Sequence, residues 1–256
     1  MKRLALISGI TLLIIVLFVG GVILLKGKKT QPVTNEQPTP TSKKQVITDT
    51  PLEARPYVSL IPRADGKELT IMVDNLRDAN KIEYELVYLA GDLSRGAIGI
   101  IDNNSASAAT HKVLLGSCSK NTCKYDENVS VGSLTLRIEY PDGIRKFVSG
   151  FHLQTGNVPL TSVDVNMQPD NIFKLEAKLP KPSFFVTMNT VGLPSQLQAK
   201  PGSDPYGVFA SDSVIVKSAK ITLSGDGVLQ QWDGKAWTAL SDGTATSLGT
   251  FVKTSQ

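Results

Sequence analysis

The residues with the most evident chemistry are two cysteines, Cys118 and Cys123, in a polar stretch of the chain. A structural zinc site takes four ligands, and the chain adds only two histidines to these thiols. A redox-active pair has the shorter C-x-x-C spacing. The spacing therefore predicts a disulfide that closes a small loop between strands. Such a bond has a local role and suits an oxidising compartment.

Other residues that could do chemistry are few. The histidines, His111 and His152, lie in no catalytic motif, and no G-x-S-x-G nucleophile elbow occurs. In a strand, His152 would point away from the core, because its neighbours Phe151 and Leu153 are apolar. A carboxylate-dependent hydrolase remains an alternative, because only the fold sets the distances between the acids that it could use: Asp92, Asp102 and Asp126. The sequence predicts no catalytic residue, metal or cofactor.

A hairpin is predicted near the C-terminus, where Asp233-Gly234 separates two strand-like runs. A two-residue turn would place Trp232 opposite Lys235 and Trp237 opposite Gln230, with both tryptophans on one face of the sheet. Two aromatic side chains on one face form a platform that suits a glycan. The sequence favours a core position instead, because this region has few other large residues, and the platform remains an alternative.

The same hairpin, Trp232-Asp-Gly-Lys-Ala-Trp237, resembles the closing β-module of many bacterial single-pass cell-surface proteins. In that module a W-D-G-K-x-W hairpin precedes a final strand, here Leu248–Val252. The resemblance covers roughly the last 50 residues and includes no catalytic residue. It implies a β-sandwich at a cell surface and nothing about chemistry.

A run of 22 uncharged residues, Leu4 to Leu25, stands near the N-terminus. As a helix it would be about 33 Å long, which matches a hydrocarbon core of about 30 Å. A cleaved signal peptide is the alternative, but its apolar part is usually about 7–15 residues and ends at a small-x-small site. This run continues instead into Lys26, Lys28 and Lys29. The sequence predicts a transmembrane signal anchor in residues 1–25, with the lipid bilayer as its partner.

The orientation of this anchor does not follow from its flanks, because basic residues lie on both sides. The short segment before Leu4 and the cysteine pair predict that the anchor lies in the cell membrane, with a cytoplasmic N-terminus and extracytoplasmic C-terminal domains.

Residues 26–52 are rich in Pro, Thr, Gln and Lys, which predicts an extended linker. Residues 1–50 carry a net charge of +5 and residues 51–256 one of −1, so no nucleic-acid partner is predicted.

Beyond the linker, apolar residues alternate with polar ones, as in strands with one buried face. Residues 81–89 and 133–140 follow this pattern most clearly. About seven strands in roughly 100 residues fit an immunoglobulin-like or fibronectin-III-like sandwich. The first such domain is predicted at residues 53–156 and a second at 157–256. Residues 180–205 are rich in Pro and polar residues, which predicts loops crossing between sheets.

Together these features predict an all-β, membrane-anchored extracytoplasmic protein with a binding or structural role at the cell surface. No catalysis is inferred, and the expected partner is a surface protein or a glycan. Two alternatives remain: an accessory subunit of an envelope complex, and the carboxylate-dependent envelope hydrolase.

Overall fold

The computed structural model describes residues 45–103, 106–120, 122–156 and 159–255. These residues form an all-β structure, which confirms the predicted class. They include no helix long and apolar enough to cross a membrane. The predicted anchor, Leu4 to Leu25, and linker residues 26–44 lie outside the described residues.

The strands are short at the start of the chain and longest in its middle, where β9 and β10 have 12 and 13 residues. A 3-10 turn, Leu52–Ala54, precedes β2. In chain order the strands are β1 (Val46–Ile47), β2 (Tyr57–Pro62), β3 (Glu68–Asp74), β4 (Lys81–Ala90), β5 (Leu93–Ile101), β6 (Ala109–Leu114), β7 (Gly116–Ser119), β8 (Thr122–Tyr125), β9 (Val129–Tyr140), β10 (Gly143–Thr155), β11 (Leu160–Val163), β12 (Pro169–Ala177), β13 (Phe184–Asn189), β14 (Tyr206–Ala210), β15 (Ala219–Leu223), β16 (Val228–Trp232), β17 (Trp237–Ala239), β18 (Thr244–Ala245) and β19 (Thr250–Thr254).

One large sheet organises the fold. Nine of its ten strands follow the order β17-β16-β19-β14-β13-β10-β9-β4-β5, and β1 pairs in parallel with the start of β10. Two smaller sheets, β2-β3-β6 and β11-β12-β15-β18, accompany it, and β7 and β8 form a separate hairpin.

A first hydrophobic core lies between the large sheet and β2-β3-β6. Strand β4 shows why: its side chains alternate, and every second one is buried in this core. Strand β9 repeats the pattern. The alternation predicted from the sequence is confirmed for both strands by these buried residues: Ile82, Tyr84, Leu86, Tyr88, Leu134, Leu136, Ile138 and Tyr140.

A second core lies between the large sheet and β11-β12-β15-β18, and strand β13 borders both cores. Phe185 packs in the second core, whereas Val186 and Met188 pack in the first. Because successive side chains of a strand point to opposite faces, the two small sheets cover opposite faces of the large one. The His152 side chain on β10 points to the face of the large sheet opposite the first core, as predicted from its neighbours. Its Nδ1 atom lies 3.0 Å from the Thr161 carbonyl oxygen. Burial lowers the pKa of this imidazole, because it disfavours the charged form.

Two expectations about the strands were wrong. Residues 180–205 were predicted as loops, but they include β13, which is flanked by β10 and β14 near the middle of the large sheet. Residues 53–156 contain nine described strands rather than about seven; β2 and the two strands of the cysteine hairpin were not predicted. The boundary between residues 156 and 157 and the immunoglobulin-like topology stay predictions.

Candidate functional site

The predicted disulfide is present. Cys118 on β7 and Cys123 on β8 lie directly opposite each other, and their sulfur atoms are bonded at 2.03 Å. Both residues are exposed, and their hairpin belongs to neither core. The bond therefore holds together a peripheral hairpin, as the spacing indicated.

Replacing both Cys118 and Cys123 with serine is expected to leave the fold intact. A six-residue loop has little closure entropy, so the loss in free energy of unfolding should be at most about 2 kcal/mol. Denaturant unfolding followed by far-UV circular dichroism measures this loss. Loss of the cooperative transition in the double variant would contradict a local role.

The tryptophan hairpin has a different register from the predicted one. Trp232 pairs with Trp237 itself, so the turn has four residues rather than two. Asp233 explains the longer turn, because its Oδ1 accepts hydrogen bonds from the backbone N–H groups of Lys235 (2.8 Å) and Ala236 (3.0 Å). These hydrogen bonds, the one from Ala236 first, lower the pKa of the Asp233 carboxyl.

Both tryptophans share one face of the hairpin and belong to neither core cluster. Their ring centroids are 5.6 Å apart, with 53° between the ring planes. The Trp237 indole N–H donates a hydrogen bond to the Ser195 carbonyl oxygen at 3.3 Å, and both side chains are half-buried. The ligand platform stays a prediction.

The three candidate carboxylates are not gathered in one site. Asp92 lies before the first residue of β5 and Asp102 after its last, so a nine-residue strand of about 30 Å separates them. Asp126 accepts a hydrogen bond from the Tyr88 hydroxyl (2.8 Å) and lies 3.7 Å from Arg95 Nε. Burial, and then this hydrogen bond to Asp126, raise the pKa of Tyr88 to about 12. Among the described residues no group of three or more acidic, His or Cys side chains could hold a metal ion.

The most exposed apolar strip lies on β5. Ile98 and Ile100 have 80% and 53% of their surface exposed, on the side of the large sheet opposite the first core. Their cross-strand neighbours on β4 are Glu85 and Glu83. The next strand, β9, adds Thr135 and Arg137 to this surface. We call these six residues the β5 face, and they line an open depression of about 520 Å³.

The Tyr84 ring occupies the core side of β5 next to Gly99. A Cβ atom added at Gly99, the partner of Tyr84 in β4, would lie 2.7 Å from the tyrosine ring, so the ring occupies the core side of this position. The Tyr84 hydroxyl lies 3.1 Å from His111 Nε2 on β6, which fixes the ring there. Since side chains alternate, Ile98 and Ile100 on either side of Gly99 must face solvent.

Comparisons with protein-family models, with curated proteins and with solved structures found no match to this chain.

Sequence reasoning did not identify the β5 face. The signal was the alternation of small residues with isoleucine from Ala97 to Ile100. On its own this pattern predicts that the isoleucines are buried. The structure reverses that assignment, because Gly99, next to the Tyr84 ring, and the buried Ile101 lie on the core side of the strand.

Proposed function

We propose that this chain is a membrane-anchored extracytoplasmic protein that binds a partner through the β5 face. The exposed isoleucines of β5 carry the proposal. Ile98 and Ile100 lie next to each other on one face, and contiguous apolar surface rimmed by polar residues marks interaction sites. Glu83, Glu85 and Arg137 supply that polar rim.

The placement outside the cytoplasm is supported by three features of the sequence and fold. The apolar run Leu4 to Leu25 has the length of a membrane span. A Pro- and Thr-rich linker separates this run from the folded part along the chain. The disulfide between Cys118 and Cys123 suits an oxidising compartment.

The topology is tested with a single added cysteine. Ile215 is 89% exposed, and the two native cysteines are bonded to each other. In the full chain, Ile215→Cys is expected to react with a membrane-impermeant maleimide in intact cells, and the parent chain is the unreactive control. Labelling only after lysis would refute the outward orientation. The mass of the membrane-bound chain shows whether the N-terminus is cleaved.

The binding role is tested by photo-crosslinking in the same cells. A photoreactive amino acid at position 98 is expected to give discrete adducts, because Ile98 lies at the centre of the β5 face. The same amino acid at position 215, which is at least as exposed, is the matched control and should give none. An equal pattern at both positions, or no adduct at position 98, would refute binding through this face.

A further inference from the structure

Strand β11 crosses β10 and is attached to it through two side chains of β10. The His152 Nδ1 atom lies 3.0 Å from the Thr161 carbonyl oxygen. Gln154 accepts a hydrogen bond from the Thr161 N–H group at 2.9 Å and donates one to the Pro159 carbonyl oxygen at 3.2 Å. Both side chains point to the face opposite the first core, because Leu153 between them is buried in that core. Side-chain hydrogen bonds therefore hold the start of the second small sheet against the large one.

The contact with Thr161 sets which ring nitrogen of His152 carries the proton. The carbonyl oxygen is the nearer of the two Thr161 oxygens to Nδ1, at 3.0 Å against 3.3 Å for Oγ1. A carbonyl oxygen can only accept, so Nδ1 carries the proton of the neutral ring and Nε2 has the lone pair. Charging the imidazole adds a proton at Nε2, and this second N–H group then needs an acceptor.

The large sheet places no charged side chain directly opposite His152. Its cross-strand neighbours are Val131 on β9 and Thr187 on β13, and its neighbours on the same face of β10 are Gly150 and Gln154. The Thr187 hydroxyl is fully buried and makes no hydrogen bond within the described part of the chain. A charged ring would therefore face uncharged side chains on this sheet.

The charged groups of the covering sheet point away or are already engaged. Strand β11 contains no titratable residue, and Asp164 directly after it accepts hydrogen bonds from two backbone N–H groups of the following turn. On β12, Asp170 accepts a hydrogen bond from the Ser162 hydroxyl. Lys174 and Glu176 pair with each other at 2.8 Å and point away from the large sheet, because the residues that alternate with them pack in the second core.

We infer that His152 makes the contact between β11 and the large sheet pH-dependent: the neutral imidazole holds β11 in place, and protonation at Nε2 releases it. A buried charge without a partner is costly, whereas the same ring is solvated once β11 has separated from β10. Acid therefore favours the separated state. The inference goes beyond the proposed function and does not rest on the β5 face.

The pH range follows from the direction of the shift. Burial lowers the pKa of His152 below its ordinary value of 6.5, and the Thr161 carbonyl offsets this only in part. The contact is therefore at full strength above pH 6.5 and weakens as the pH falls through 6.5 towards the lower pKa of the buried ring. The carboxyl of Asp164 does not interfere, because backbone hydrogen bonds lower its pKa below the ordinary 3.8.

Hydrogen–deuterium exchange of the full chain in detergent, followed by mass spectrometry, tests this inference. The readout is a peptide that contains Thr161, whose N–H group donates to Gln154. From about pH 7.5 to about pH 5.5 its protection factor, corrected for intrinsic exchange, should fall about threefold or more, with about tenfold as the limit for one proton. Peptides from β4 should keep their protection. No fall at Thr161, or an equal fall in β4, would overturn the inference.

The two histidines of the chain provide a matched pair of variants. His152→Gln is expected to remove the pH response, and His111→Gln should keep it, because His111 lies on β6 and contacts Tyr84 instead. Protection in β4 shows that each variant is folded. A response that persists in His152→Gln, or that disappears in His111→Gln, would refute the role of His152.

A supplied carboxylate tests the missing counter-charge with the histidine left in place. Val131 is half-buried and lies opposite His152 on the same face, so Val131→Glu brings an acid beside the ring. This acid should stabilise the charged imidazole inside the fold, so the fall in protection at Thr161 should be about half, or less, of that in the uncharged control Val131→Gln. Equal falls in the two variants would refute protonation of His152 as the cause, and this comparison stands even if His152→Gln does not fold.

Discussion

Replacing Phe151 with alanine is expected to lower the free energy of unfolding by about 3–5 kcal/mol. The ring is fully buried in the first core, on the long strand β10. Its cross-strand partner is Gly132, and a Cβ atom added there would lie 2.3 Å from the ring. Because this partner has no side chain, Gly132 cannot fill the space that the ring leaves.

Equilibrium denaturation in guanidinium chloride, followed by far-UV circular dichroism, measures this loss. The matched control is Val148→Ala on the same strand. The Val148 side chain is exposed and points to the face of the large sheet opposite Phe151. It should cost less than about 1 kcal/mol. A loss at Phe151 no larger than that at Val148 would show that the first core tolerates the cavity.

Replacing Gly150 with alanine is expected to destabilise the protein by about 1–3 kcal/mol, although only one methyl group is added. A Cβ atom at this position would lie 2.2 Å from the Asp164 carbonyl oxygen and 2.5 Å from that of Val163. Both are backbone atoms, so no side chain can rotate away. The methyl group would force apart strand β10 and the end of β11, where the second small sheet crosses the large one.

The same denaturation experiment measures this effect, with Gly96→Ala as the control. An added Cβ atom at Gly96 has its nearest neighbour at 3.2 Å, and this position on β5 is near solvent. Its cost should therefore be below about 1 kcal/mol. Equal stabilities of the two variants would mean that β10 and β11 can separate without loss, contrary to the close crossing in the structure.

Several features followed from local patterns alone. The alternation in 81–89 and 133–140 correctly identified β4 and β9 and the faces that they bury, because a strand with one buried face has a period of two. The disulfide followed from the Cys118–Cys123 spacing, because two thiols so close in sequence can bridge a short hairpin. The orientation of His152 followed from its apolar neighbours.

Other features depended on contacts between distant residues. Strand β13 is buried on both faces, so its run Phe184-Phe-Val-Thr-Met-Asn189 lacks the alternation that identifies a half-exposed strand. The Asp233 side chain changed the register of the tryptophan hairpin, because its two hydrogen bonds to the backbone stabilise a longer turn than the Asp-Gly pair predicted.

By itself, the sequence determined the all-β class, the disulfide and the buried faces of the most regular strands, because each depends on residues close together in the chain. It also predicts the membrane anchor and the outward orientation. Only the tertiary structure decided that Ile98 and Ile100 face solvent on the last described strand of the large sheet. The reason is physical: the Tyr84 ring, held by His111, fills the core side of Gly99, Ile101 is buried on that same side, and the alternation of the strand turns Ile98 and Ile100 outward.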